Sequence, residues 1–101
     1  MELIGEKNAR VSYDDQGRCG YVNFFWEKTV HRFYWEFGVG NPLVVIDIPT
    51  VALWEKQTNL PLAIRMPVLE FIGKQAVRDK ADGHQFRIDD NAIVILREKQ
   101  G

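Results

Sequence analysis

Apolar and polar residues alternate most regularly between Gly20 and Phe37. In YVNFFWE, Val22, Phe24 and Trp26 fall on one face of an extended chain, and Tyr21, Asn23 and Phe25 on the other. Glu27-Lys28-Thr29 reads as a hairpin connection into VHRFYWEF. There His31, Phe33, Trp35 and Phe37 share the face expected to turn inward. Arg32, Tyr34 and Glu36 share the face turned to water or a partner. Ala9 to Tyr13 forms a further strand, closed by the turn chemistry of Asp14-Asp15-Gln16-Gly17. Leu3-Ile4, ahead of it, suits a short edge strand or a loose end.

After Gly38-Val39-Gly40-Asn41, Pro42 begins a fourth strand with the run Leu43-Val44-Val45-Ile46. Its continuous apolar character predicts a central strand covered on both faces. The short connection makes it antiparallel to residues 30–37. Pro49-Thr50 breaks the run, with Thr50 placed to cap a short helix that Trp54 anchors into the core. Asn59 and Pro61 end that helix, and Pro67 suits the first turn of a second over residues 66–81. Val68, Leu69, Ile72 and Ala76 form its buried stripe, widened by Phe71. Gly73 in mid-helix implies close packing against the sheet. Asp82-Gly83 stops it, and residues 84–98 form a hairpin around Asp89-Asp90-Asn91 with Phe86, Ile88, Ile93 and Ile95 on one face. The fold class is therefore α+β: one domain over residues 1–101, a mostly antiparallel sheet in the order β-β-β-β-α-α-β-β, with two helices packed on one face.

Composition narrows the function. Of 101 residues, 13 are basic and 14 acidic, a balance that argues against a general polyanion binder. One cysteine, Cys19, excludes an intrachain disulfide and a thiolate metal cage. The start of the chain lacks the pattern of a signal peptide, and no apolar run approaches the roughly 20 residues that span a bilayer. A cytoplasmic protein is the expectation.

No chemical motif stands out. Gly38-x-Gly40 matches two glycines of a nucleotide-binding loop, but strands rather than a helix surround it, so it reads as a turn. His31 and His84 lack a ligand partner at metal-binding spacing. No metal or other cofactor is expected. Cys19 would need a base or a cation such as Arg18, Lys7 or Arg10 to become reactive. Asp47 ends a largely apolar strand: burial would raise its pKa and Arg65 would lower it, while the plainer role is bonding the backbone of the next helix. An enzyme using Asp47 with His31 or His84 in acid–base roles is one alternative. A single-stranded nucleic-acid binder stacking bases on the aromatic hairpin is another, opposed by the charges there, since Glu27 and Glu36 offset Lys28 and Arg32. The outward set Tyr21, Phe25, Arg32, Tyr34 and Glu36 combines the aromatic and Arg types enriched at protein interfaces, and forms the leading partner-binding surface. Self-pairing of an exposed edge strand into a homodimer competes with every reading.

The run Trp35-Glu36-Phe37-Gly38-x-Gly40-Asn41, then Ile48-Pro49-Thr50, Trp54-Glu55, Thr58, Arg65, Leu69, Phe71-Ile72 and Gln75-Ala76, resembles small bacterial proteins of uncharacterised function. With the final hairpin, the resemblance covers roughly two thirds of the chain. In kind, the chain is similar to immunity proteins of polymorphic or contact-dependent toxin systems. These are compact cytoplasmic α+β domains, poor in cysteine, that cover a toxin's active site or a nearby surface. Their acid-rich balance against nuclease toxins is not shared here, and the resemblance implies no catalytic residues. It implies a non-enzymatic protein-binding module.

Overall fold

Six strands form one antiparallel sheet in the order β1-β2-β3-β4-β6-β5, and the helical segments intervene between β4 and β5. The strands are Ala9–Asp15 (β1), Cys19–Trp26 (β2), Thr29–Phe37 (β3), Val44–Asp47 (β4), Gln85–Ile88 (β5) and Ala92–Leu96 (β6). Val51–Leu53 is a single 3₁₀ turn that runs into α1, Trp54–Thr58. A second 3₁₀ turn, Leu62–Ile64, runs into α2, Arg65–Lys80. The structure, a computed structural model, describes residues 4–40 and 42–97. Leu3 of the expected Leu3-Ile4 strand lies outside those residues, and Ile4 sits in a bend with its side chain in the core.

The β2–β3 hairpin closes at Trp26 and Thr29 around a two-residue loop, Glu27-Lys28. Glu27 adopts φ 56°, the left-handed conformation that lets a short loop follow the twist of its strands. Register then fixes the faces. Val22 pairs with Phe33, Phe24 with His31 and Gly20 with Trp35 on the inner side; Tyr21 pairs with Tyr34, and Asn23 with Arg32, on the outer. Phe33 is 5% exposed and Trp35 6%, so the alternation read from the sequence holds. Phe37 shares their face but is 42% exposed, because it lies at the last rung of the strand.

Helix α2 lies across the inner face. Its buried residues Val68, Leu69, Phe71, Ile72 and Ala76 join Val22, Phe24, Phe33, Ile46, Ile93 and Ile95 in one core, with the Phe71 ring edge-on to Phe24 at 6.0 Å. Gly73 is required there: a Cβ at this position would sit 2.4 Å from Cε2 of Phe86 on β5. Trp54 is fully buried and its Nε1–H donates to the Pro61 carbonyl at 3.1 Å, so it anchors the helical segment in the core.

Three local expectations are corrected. Strand β4 alternates: Val44 and Ile46 are buried, Val45 is half-buried and Asp47 is exposed, because the helices cover only one face of the sheet. It starts at Val44 rather than Pro42, although the Leu43 amide already bonds to the Ile95 carbonyl. Thr50 precedes the first 3₁₀ turn without a side-chain capping bond. The Val51 amide is instead met by Asp90 Oδ1, reaching across from the β5–β6 turn.

Candidate functional site

Among the described residues, no helix lies on the second face of the sheet. Register brings Arg10, Ser12 and Asp14 of β1 beside Phe25, Asn23 and Tyr21 of β2, and these beside Val30, Arg32 and Tyr34 of β3. Continuing outward, Glu36 pairs with Val45, and Val45 with Val94. All five expected partner-binding residues, Tyr21, Phe25, Arg32, Tyr34 and Glu36, therefore project from one face of two adjacent strands.

Arg32 organises the centre. Its Nη2 donates to Asp14 Oδ2 at 3.0 Å, its Nε donates to Asn23 Oδ1 at 3.1 Å, and its guanidinium stacks 4.1 Å from the Tyr21 ring centroid. Asn23 Nδ2 passes the chain on to Ser12 Oγ at 3.3 Å. The Tyr21 and Tyr34 rings meet edge-on at 5.8 Å, and Arg10 covers Phe25 at 3.9 Å. Each cation is thereby held over an aromatic ring, so the cluster is ordered before any partner arrives, which lowers the entropy cost of binding. The Cys19 side chain, above all, pushes the Tyr34 phenol up to about 12, with burial next, so Tyr34 keeps its donor proton at neutral pH. Sequence reading missed Arg10, Ser12 and Asp14. The signal was present in the alternation of ARVSYDD, which places those three on one side and Ala9, Val11 and Tyr13 on the other.

Of the groups weighed for chemistry, His31 and Asp47 share one depression, while His84 and Cys19 lie elsewhere. His31 stands on the inner side of β3, half-buried, with Nε2 2.9 Å from Thr29 Oγ1; burial lowers its pKa. Asp47 stands on the outer side of β4, and burial, then the Glu36 carboxylate, raises its pKa. Both line one depression of about 390 Å³ where β4 leaves β3, with no hydrogen bond between them. His84 follows α2 with Nδ1 3.0 Å from the Ala81 carbonyl, and lines a different depression with Lys74, Val77, Gln85 and Phe86. Arg65 does not reach Asp47 as expected. Only 5% exposed, it donates from Nη2 to the carbonyls of Pro49 (3.0 Å) and Asp90 (2.8 Å), tying both loops to the start of α2. The backbone-bonding role expected of Asp47 falls to Asp90. Cys19 opens β2 on the outer face, opposite Glu36, while Arg10 stacks on Phe25 at the far end of the sheet. Among the described residues, no three His, Cys, Asp or Glu side chains come together as a metal site, and no helix is long and apolar enough to cross a membrane.

Compared with protein-family models, curated proteins and solved structures, the chain matches none.

Proposed function

We propose that this chain is a non-enzymatic protein-binding module whose contact surface is the helix-free face around Tyr21, Phe25, Arg32, Tyr34 and Glu36. One observation carries the reading: aromatic rings and a guanidinium are locked together on a face that neither helix covers. Tyr and Arg supply large contact area with few rotatable bonds to freeze, which is why they dominate interface energetics. Arg32, Asp14 and Glu36 set the orientation of an approaching partner, and the rings set the lifetime of the complex. By its resemblance in kind, the partner is a toxin domain whose active site, or a surface beside it, this face covers in a bacterial cytoplasm.

The test is binding by a matched pair of variants. Tyr34→Ala lowers affinity for the partner captured from the native cell by about 2 kcal/mol, the scale of an interface hot spot. The neighbouring inner-face change Phe33→Leu leaves affinity intact once the folded fraction is taken into account. Equal affinity of wild type and Tyr34→Ala contradicts the proposal.

A further inference from the structure

Strand β3 spans nine residues, yet β4 pairs with it only at Trp35, Glu36 and Phe37. The Phe37 amide donates to the Arg18 carbonyl on the β2 side. Main-chain groups alternate in direction along a strand, so Trp35, Phe33 and His31 also turn theirs toward β2. Val30 and Arg32 turn their N–H and C=O groups the opposite way, where no strand of the described residues meets them.

The depression of about 390 Å³ lies along this stretch. It is lined by five consecutive residues, Val30 to Tyr34, and walled opposite by Asp47–Pro49 and by Gln57 and Thr58 of α1. Consecutive strand residues point to alternate faces, so a depression that touches all five follows the strand's edge rather than either face. The stretch itself carries one charged residue, Arg32, and residues 47–49, 57 and 58 stand across the depression from it without pairing as a strand.

We propose that this edge receives an extended segment of a partner protein, added as a strand against Val30–Phe33 and presenting a Lys or Arg to Asp47 and Glu36. The proposal rests on the protein-binding reading and specifies the partner's chemistry. Two donors and two acceptors on one line are matched by an extended main chain; a helix has spent its own. The four residues Val30–Phe33 at roughly 3.3 Å each give a seat of about 13 Å, enough for a short strand. Asp47 and Glu36 repel each other and have no basic partner among the described residues, so an incoming cation complements them. The seat is also continuous with the aromatic cluster, because Arg32 belongs to both. A second copy of the chain is a poorer occupant: the wall formed by residues 47–58 stands in front of each copy's own edge.

Random eight-residue peptides selected on the full chain provide the test. The selected peptides carry a basic residue and slow hydrogen exchange of the Val30 and Arg32 amides at least tenfold. They bind Arg32→Pro, which lacks the groove-facing N–H, at least tenfold more weakly than Arg32→Ala, which keeps it. Should Arg32→Pro fail to fold, the exchange readout on wild type decides alone. Failure to select any peptide overturns the proposal, as does selection without slowed exchange. Loss of binding on Tyr21→Ala, with Arg32→Ala and Arg32→Pro equal, overturns strand addition while leaving the open-face reading in place. Protection of the two amides in a self-associated form without peptide assigns the edge to a second copy and also overturns it.

Discussion

The two faces of this sheet are built from the same few strands and both carry aromatic rings, yet they are held together differently. On the inner face, Phe24, Phe33 and Trp35 pack against α2 and lose nearly all contact with water. On the outer face, Tyr21, Tyr34 and Phe25 keep part of their surface in solvent and are ordered laterally by Arg10 and Arg32. Burial of apolar area stabilises the first arrangement. Cation–π contacts and half-exposed hydrogen bonds, each of about 1 kcal/mol or less, shape the second. An aromatic residue on a strand thus contributes to folding or to recognition according to the parity of its position.

The comparison breaks most visibly under truncation. Phe33→Ala costs about 3–5 kcal/mol in urea unfolding, through lost transfer energy and the cavity left beneath α2. Tyr34→Ala, one residue on, costs under about 1.5 kcal/mol, essentially its edge-on contact with Tyr21. A Tyr34 cost equal to that of Phe33 would show that the outer face is also core.

Gly73→Ala tests how tightly the inner face is closed. The substitution gains helix propensity of about 1 kcal/mol, but drives a methyl group into the Phe86 ring. Net destabilisation of about 1–2 kcal/mol in chemical unfolding is expected; a net gain would mean that Phe86 moves freely.

Charge separates the faces by pH. The pKa of Asp47 is raised in the folded chain by burial and by Glu36, so its contribution is full below about 3.9. That contribution is lost as pH rises through the folded value. Asp47→Asn therefore raises the melting temperature slightly at pH 7, solvent screening keeping the effect small, and has no such effect at pH 3. His31 behaves oppositely. Burial depresses its pKa, so its contribution is present above about 6.5 and is lost as pH falls through the folded value. His31→Asn removes that acid-side slope from the stability curve.

Both the strand alternation and the α2 stripe were legible in the sequence, since period-2 and period-3.6 patterns report burial directly. The run Leu43-Val44-Val45-Ile46 misled, because a continuous apolar stretch does not reveal that Val45 faces Glu36 and Val94 on an uncovered sheet. The capping role was also misplaced: Asp90 is distant in sequence from Val51, and only the fold brings them together. Of the candidate site, the residues on β2 and β3 were readable from alternation. Arg10 and Asp14 depended on knowing that β1 joins the same face, and the open edge at Val30–Arg32 depended on where β4 ends.

The most direct test is an alanine scan of residues 32–36 that records partner affinity per folded molecule. An alternating result, with loss at Arg32, Tyr34 and Glu36 and none at Phe33 and Trp35, is what the division between the faces predicts. Loss of affinity that ignores parity, or falls on Phe33 and Trp35, would contradict it.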